Sequence, residues 1–518
     1  MLANFLNNVG GAFNLTVMGL VLVVIGSATE ENSRMRAAVA SAGMAGAVSG
    51  QLIMGFLGDC MGRLRALGLT TVIVLVGSLL SAALPQGDNT LFTLAVCRFF
   101  TGFGVGGIYP LTAVAAAEAK GSKGVVSTLL VFSGQGWGQL LAPLTVYLLF
   151  KANAPPETIW RGTLILAAIP TMLALFLMGR DMRRRMRANE LEAIDAIREV
   201  AGEHPSNVAL RAEQDRRAEQ EFSAMNPEPQ SFRKAFFNAK NLRKLLGTGG
   251  TWFIFDVTFY ANVIFAPVVL GKVFELNSSS TVGDIAGPTC VVILIGLPGY
   301  YVASAVVNRT GLKRLQMAGF IILAILYGIM AIGADVLPPG FLFTLYAATF
   351  FVSNLGPNST TFCLPAKTFP KSTRSSFNGI SAAMGKLGAV VGTAMFPAIL
   401  DSSGMVGALG FSSFVALAGA VLTHFTVESE FIPQAQRLRR GSNDTFVGFI
   451  EMGAPGFQDT SLQTASNPPP DAPAPKRLPF ASMNNVAYLS RDENPFAAAH
   501  SSYERINETS DLTALKGL

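Results

Sequence analysis

Residues 55–65 read GFLGDCMGRLR and join two long apolar runs, at 36–58 and 66–84. Each run has the roughly 20 mainly apolar residues that a membrane-spanning helix needs. The glycines permit a tight turn and close helix packing, and Asp59 stands at a helix end, where it can hold a neighbouring helix. Basic residues beyond a span keep its loop in the cytoplasm. The stretch therefore predicts two spans joined by a cytoplasmic loop, with Asp59 and Arg63 in a gate.

Further apolar runs of similar length flank this pair, and a polar interval divides them into two groups of six. The predicted spans lie near 10–28, 36–58, 66–84, 91–117, 124–150, 159–178, 246–270, 282–307, 315–334, 338–363, 376–400 and 406–426. We therefore predict an all-α polytopic membrane protein of twelve transmembrane helices in two six-helix bundles. The predicted parts are an N-terminal bundle at 1–180, a cytoplasmic linker at 181–245, a C-terminal bundle at 246–427 and a tail at 428–518.

The linker and the tail differ in composition. Residues 191–198 have helical character with interspersed charges, which fits either a helix lying on the membrane or a solvated linker helix. The tail is polar and rich in proline, so it cannot bury enough apolar surface to repay ordering. We expect the tail to be disordered.

The bulk composition agrees with a lipid environment. Of 518 residues, 50% are apolar and 14% are charged, and the mean hydropathy is +0.42. A soluble domain carries roughly 25% charged residues. The formal charge of +6 comes from basic residues in short segments between apolar runs. That placement favours membrane orientation over nucleic-acid binding.

Enzymatic, metal-binding and nucleotide-driven functions find no support. The chain has no phosphate-binding loop of the ATPase type, so any energy must come from an ion gradient. Three scattered histidines and four cysteines without ligand-like spacing predict no metal site, no cofactor and no catalytic pair. The cysteines are expected to be small buried apolar residues: Cys60, Cys97, Cys290 and Cys363.

The distribution of basic residues predicts the orientation. One set of loops collects most of them: Arg63, Arg65, Lys120, Lys123, Arg183, Arg184, Arg185, Arg309, Lys313, Arg314, Lys367, Lys371 and Arg374. The opposite loops carry fewer and mix them with acidic residues. Basic loops face the cytoplasm, so both termini are predicted to be cytoplasmic, in a plasma-membrane protein. No cleavable signal is expected, because nothing basic precedes Arg34.

The loop at 55–65 resembles the signature of the major facilitator superfamily. A weaker copy occurs at 299–314, where Asn308 replaces the acidic residue. The repeat indicates two homologous halves, as such transporters have.

The chain resembles one branch of that superfamily, the phosphate:proton symporters, along all twelve spans. The resemblance rests on RFFTGFGVGGIYPLT at 98–112, QGWG at 135–138, TWFIFDVTFY at 251–260 and NLGPNSTTF at 354–362, continuing in NGISAAMGKLGA at 378–389. It is closer in the C-terminal half.

The resemblance implies a phosphate site at Tyr109, Gln135, Trp252, Asp256, Tyr260, Asn358 and Lys386. The residue spacing adds independent support, because Trp252, Asp256 and Tyr260 recur every four residues on one helix face. An ionisable group inside a span usually faces a cavity or a partner, and Asp256 and Lys386 are candidates for each other. Other interpretations remain open: a purely structural ion pair, packing aromatics, and interhelical hydrogen bonds by Gln135 and Asn358.

The chain departs from the resembled family at several acidic positions. Ile108 replaces the aspartate before the span 4 tyrosine, and Gly11 and Asn14 stand where span 1 of the family has aspartates. Lys367 replaces another acidic residue, and the P-E-T segment after span 6 is missing. We therefore predict that proton coupling is weak and depends wholly on Asp256.

These features predict a secondary transporter that moves inorganic phosphate by alternating access, with protons as the coupling ion. It is expected to be monomeric in the bilayer and not to bind nucleic acid. Two alternatives remain: a transporter of another small anion or organic solute, or a non-transporting phosphate sensor.

Overall fold

The computed structural model describes residues 1–26, 33–85, 87, 89–118, 123–201, 213, 216, 232–264 and 281–428. Every regular element in these residues is a helix. The predicted disordered tail, beyond Glu428, and most of the linker between 202 and 231 lie outside the described residues.

The described residues of the N-terminal half form six long helices. They are α1 (Leu2–Gly26), α2 (Ser33–Cys60), α3 (Arg63–Ala83), α4 (Thr90–Ala117), α5 (Lys123–Lys151) and α6 (Pro156–Ala201). The last of these continues well beyond its predicted span, so residues 191–198 are helical, as expected, but extend the spanning helix.

The C-terminal half is more often interrupted. Its helices are α7 (Phe232–Phe236), α8 (Ala239–Leu245), α9 (Thr251–Ile264), α10 (Val282–Gly296), α11 (Pro298–Thr310), α12 (Leu312–Gly333), α13 (Pro339–Leu355), α14 (Pro357–Thr368) and α15 (Arg374–Thr426). A π-helical turn at Leu246–Gly250 joins α8 to α9, and a 3₁₀ turn at Lys371–Thr373 precedes α15.

Nine stretches of the described helices are long and apolar enough to span a membrane. The remaining crossings are α5, the continuous α8–α9 segment, and the pair α13–α14, which is bent at Gly356. These three are not among the nine because polar residues and helix breaks shorten their apolar runs. They carry Gln135, Asp256 and Asn358. Across the described residues the crossings number twelve, which confirms the predicted fold.

One predicted span boundary is wrong. Span 1 begins at Leu2 rather than near residue 10, because Asn7 and Asn8 are buried and hydrogen-bonded to other spans, Asn7 to Thr71 and Asn8 to Thr112. Polarity at these positions therefore does not mark a helix end.

The break predicted between spans 11 and 12 is present as a sharp kink. The segment labelled α15 consists of two helices that meet at Gly404, which leaves the helical conformation with φ 63° and ψ −164°. One residue with a left-handed conformation is enough to redirect the chain, because glycine adopts it without steric cost.

The two halves repeat the same turn. Gly62 precedes α3 with φ 90° and ψ 142°, and Gly311 precedes α12 with φ 78° and ψ 157°. A residue with a Cβ atom is strained in that region. The equivalent backbone turns agree with the repeat detected between 55–65 and 299–314.

Of the four cysteines, only Cys363 is buried as expected. Cys97 and Cys290 are partly exposed and Cys60 is exposed, because the described helices turn these positions toward the outside of the bundle. Among the described residues none of the four forms a disulfide.

Candidate functional site

The site begins with one face of α9. Trp252, Asp256 and Tyr260 follow one another at four-residue steps, and the first two are almost completely buried. Lys386 of α15 lies opposite, with its Nζ 3.5 Å from Oδ2 of Asp256 and both side chains at most 4% exposed. The structure therefore brings the predicted acid and base together inside the protein.

Lys386 directs its hydrogen bond elsewhere. Its Nζ donates to the hydroxyl of Tyr260 and lies 4.1 Å from the centre of that ring and 5.5 Å from the ring of Tyr109. Oδ2 of Asp256 has no hydrogen-bond partner among the described residues. Lys386 thus reaches this oxygen as an ion pair rather than through a short hydrogen bond.

The N-terminal half contributes Tyr109 and Gln135. The Tyr109 hydroxyl donates to Oε1 of Gln135 across 3.1 Å. The Tyr109 ring also faces Lys386, so α4 and α5 reach the site from the side opposite α9 and α15. The predicted set therefore spans the interface between the two halves.

Asn358 lies apart from the Lys386 cluster. Its amide donates to the hydroxyl of Tyr300, at 2.9 Å, and to Oδ1 of Asn354, at 2.8 Å. Tyr300 is fully buried and also interacts with Gln135. Hydrogen bonds among the described residues link Asn358 to the cluster through Tyr300, Gln135 and Tyr109.

Two residues of the site were missed from the sequence. The ring of Phe362, on α14, lies edge-on to the rings of Trp252 and Tyr109, with 6.4 and 6.2 Å between ring centres. It stacks on the ring of Phe132, with 4.0 Å between ring centres. It therefore closes the centre of the interface. Tyr300 is the second missed residue. Both residues could have been found from their positions in the sequence, because Phe362 lies one helical turn after Asn358 and Tyr300 stands in the repeated loop sequence.

A polar contact set, here called the latch, joins the halves at the face of the 55–65 loop. It consists of Asp59, Arg63, Glu118, Arg374, Ser375 and Ser376. The Asp59 carboxylate accepts hydrogen bonds from the backbone N–H groups of Ser375 and Ser376, at 3.1 and 2.8 Å, and from the Ser376 hydroxyl, at 2.7 Å. It thereby caps the first turn of α15, where a helix favours negative charge.

Arg63 and Glu118 complete the latch. Arg63 pairs with Glu118 at 3.0 Å and donates to the Lys371 carbonyl at 2.7 Å, while Glu118 also pairs with Arg374 at 3.5 Å. A Cβ atom on Gly379 would lie 2.2 Å from the carbonyl oxygen of Gln51. Helices α2 and α15 are thus in backbone contact, and this face of the interface is closed.

A small cavity of about 40 Å³ lies between the halves beside the cluster. Its lining includes Thr16, Gln139, Phe259, Thr289, Phe350 and Asn354. That volume holds no more than a few water molecules, since one needs at least roughly 10–15 Å³. Entry of a larger solute requires the halves to separate.

A second buried cation lies in the N-terminal half. Arg98 is 2% exposed and donates to Oδ1 and to the backbone carbonyl of Asn14, at 3.2 and 2.7 Å. Among the described residues, no carboxylate forms an ion pair with it. A buried charge without a counter-charge is expensive.

Replacing Asn14 by aspartate should therefore raise the melting temperature of the purified protein by a few degrees, because a carboxylate would neutralise Arg98. The gain exceeds the loss of the bond from the Asn14 amide to the Gly10 carbonyl. The matched control is Asn8→Asp, at another buried position of α1 whose amide meets Thr112. That control should lower the melting temperature. Equal effects of the two substitutions would contradict the argument.

No cluster of three potential metal ligands occurs among the described residues. The central site instead combines one ammonium, one carboxylate, an indole, phenols and amides. Such a set suits a small polar or anionic solute.

Comparisons with known proteins show the family to which the chain belongs. The profile of the "Sugar (and other) transporter" family matches residues 12–435. "Probable inorganic phosphate transporter 1-6" of Arabidopsis thaliana is 33% identical over 76% of this chain and 81% of its own length. The chain belongs to the major facilitator superfamily, in its inorganic phosphate transporter family. This transporter is also 32% identical to "Low affinity inorganic phosphate transporter 4" of Lotus japonicus, over 68% of the chain and 72% of the relative.

Solved structures agree on the fold of this transporter. The major facilitator proton:xylose symporter XylE, bound to 6-bromo-6-deoxy-D-glucose, superposes with a TM-score of 0.64 at 18% identity, over 82% of this chain and 95% of its own. At that identity the likeness concerns the fold alone. Membership of the inorganic phosphate transporter family makes the chain an integral membrane transporter, which confirms the resemblance drawn from its motifs.

Proposed function

We propose that this protein transports inorganic phosphate across a membrane by alternating access. The observation that carries the proposal is the buried Lys386 ammonium at the interface of the halves, 3.5 Å from a carboxylate oxygen that lacks a hydrogen bond. An ammonium at this position would meet an anion that enters between the halves. The names of the relatives supply the anion, since they are called inorganic phosphate transporters.

The surrounding groups match the chemistry of phosphate. A tetrahedral oxyanion accepts hydrogen bonds on every oxygen, and bonds from charged donors are the strongest. Lys386 supplies the charged donor, while the Trp252 indole and the Tyr260 hydroxyl supply neutral donors beside it. Tyr109 and Gln135 face the same point from the other half, so a bound anion would contact both halves.

Asp256 supplies the coupling in this proposal. Its ionised carboxylate repels an anion and attracts Lys386, whereas the protonated acid does neither. Binding of a proton at Asp256 therefore releases Lys386 to the phosphate. When the site faces the other side of the membrane, loss of that proton expels the anion.

The latch sets which side is open. In the closed face, Asp59, Arg63 and Glu118 bind the first turn of α15 and the residues just before it. Release of these contacts would let α2 and α15 separate and expose the site on that side. We further propose, from the basic residues at this face, that it is cytoplasmic, that both termini share that side, and that the membrane is the plasma membrane.

Uptake of labelled phosphate into proteoliposomes tests the proposed function. We expect phosphate to accumulate when the outside is more acidic than the inside and to equilibrate without a gradient. Sulfate and xylose serve as competitors. Stronger competition by either would favour another solute, and phosphate binding without uptake would favour a sensor.

Replacing Asp59 by asparagine should slow transport about tenfold while the phosphate dissociation constant stays within about twofold. The substitution removes the charge that caps α15, and a lost cap costs about 0.5–2 kcal/mol. Initial rates in liposomes and equilibrium binding in detergent measure the two quantities separately.

The control for Asp59→Asn is Glu157→Gln. Glu157 pairs with Arg161 one turn later, at 2.9 Å, within a single half. Its loss removes a comparable helical ion pair without touching the interface, so its rate should be unchanged. A pure affinity loss at full maximal rate in Asp59→Asn would argue against a gating role.

A further inference from the structure

An apolar groove runs along the outside of the C-terminal half, between α9 and the end of α15. It has a volume of about 450 Å³. Its walls include Ile254, Phe414, Leu417, Val421, Leu422 and Phe425. Phe414 is 70% exposed, Leu417 52% and Phe425 67%. On a spanning helix such a surface faces lipid chains.

The groove ends at a group of basic side chains. The carbonyl oxygen of Phe425 accepts a hydrogen bond from Arg243 at 3.2 Å, and that of His424 accepts one from Lys313 at 2.7 Å. Lys244 follows Arg243 on α8, which continues through the π-helical turn into α9. Arg243 and Ile254 are thus separated by roughly 16 Å along one helical segment, at 1.5 Å per residue.

Negative charge is scarce around this group. The sequence from 232 to 255 contains no aspartate or glutamate. The nearest described carboxylate is Glu428, 4.0 Å from Lys244 and 70% exposed. An exposed pair at that distance contributes little. The positive charge of Arg243, Lys244 and Lys313 therefore remains largely available to a ligand.

We propose that this surface is a binding site for one anionic phospholipid. The headgroup phosphate meets Arg243, Lys244 and Lys313, and an acyl chain lies in the groove between Ile254 and Leu417. Neither feature alone would suffice. A zwitterionic lipid brings no net negative charge to the cations, and a free phosphate ion leaves the apolar groove unused, whereas an anionic phospholipid meets both features.

The site lies beside the first turns of α9, the helix that carries Trp252 and Asp256. Ile254 stands between Trp252 and Asp256 on α9, on the side of the helix that faces the groove. A lipid held there supports the start of the helix that carries the substrate residues. Binding of the lipid should therefore also stabilise the folded protein.

Native mass spectrometry of the full-length protein in detergent tests the proposal. The probes are phosphatidylglycerol and phosphatidylcholine with identical acyl chains. We expect one retained phosphatidylglycerol and at least a tenfold preference over phosphatidylcholine. The variant Arg243→Gln/Lys244→Gln should lose that preference. The control Arg183→Gln/Arg184→Gln removes two exposed basic residues of α6 and should keep it.

A second variant tests the groove itself. Leu417→Trp fills the groove from a lipid-exposed position, so the protein should fold with its normal melting temperature in the absence of added lipid. It should retain less phosphatidylglycerol than the unmodified protein. The proposal is overturned if both variants keep the tenfold preference, which would indicate a non-specific lipid layer. It is also overturned if inorganic phosphate displaces the lipid completely, which would indicate a free-phosphate site.

Discussion

Replacing Lys386 by glutamine is expected to reduce phosphate binding by about 100-fold, since a hydrogen bond to a charged group contributes roughly 1.5–3 kcal/mol. The same change leaves Asp256 buried without its counter-charge. Breaking a buried pair from one side costs about 3–5 kcal/mol, so the single variant should also melt at a lower temperature. Binding and stability must therefore be separated.

The double variant Lys386→Gln/Asp256→Asn separates them. It removes both charges at once and should recover most of the lost melting temperature, because two neutral amides of similar shape replace the pair. Phosphate binding should remain lost. Isothermal titration with phosphate, together with thermal unfolding, reads both quantities. If the double variant binds phosphate as the unmodified protein does, the ion pair is structural and Lys386 does not contact the anion.

Replacing Asp256 alone by asparagine is expected to remove accumulation driven by a pH gradient while exchange of phosphate for phosphate persists. Coupling requires a group that gains and loses a proton between the two exposed states, and an amide cannot titrate. Exchange needs only a site that accepts the anion, and the neutral amide still allows Lys386 to donate to it. Protonation of Asp256 favours anion binding, so uptake by the unmodified protein should rise as the outside becomes more acidic.

Two assays on the same liposomes measure these effects. Counterflow of labelled against unlabelled phosphate measures exchange, and uptake under an imposed pH gradient measures accumulation. Asp335→Asn, in the exposed segment after α12, is the control and should leave both unchanged. Strong accumulation that survives Asp256→Asn would place the proton path elsewhere or indicate a different driving ion.

The sequence predicted those features whose physical cause is local. Hydropathy depends only on neighbouring residues, so the spanning segments were found, and most of their bounds lie within a few positions of the prediction. The four-residue spacing of Trp252, Asp256 and Tyr260 places them on one face of any helix. A glycine turn needs only its own backbone, and Gly62 and Gly311 adopt the same one.

Burial of polar residues limited the prediction. The polarity of Asn7 and Asn8 predicts that they lie outside the membrane. In the structure they lie inside the bundle, with hydrogen-bond partners on α3 and α4. Hydropathy cannot distinguish a polar residue with a buried partner from one in water. The start of α1 was therefore misplaced.

The tertiary structure alone decided which residues meet across the interface. Asp59 and Ser376 are 317 positions apart, and Phe362 reaches Phe132 from the other half. Within the C-terminal half, Asn358 meets Tyr300 across 58 positions. No local pattern encodes such pairs, because helix geometry relates only residues within a few turns. Sequence determined a membrane transporter with an acid and a base in its C-terminal half. Packing of the two halves decided that both are buried at one point, in reach of Tyr109.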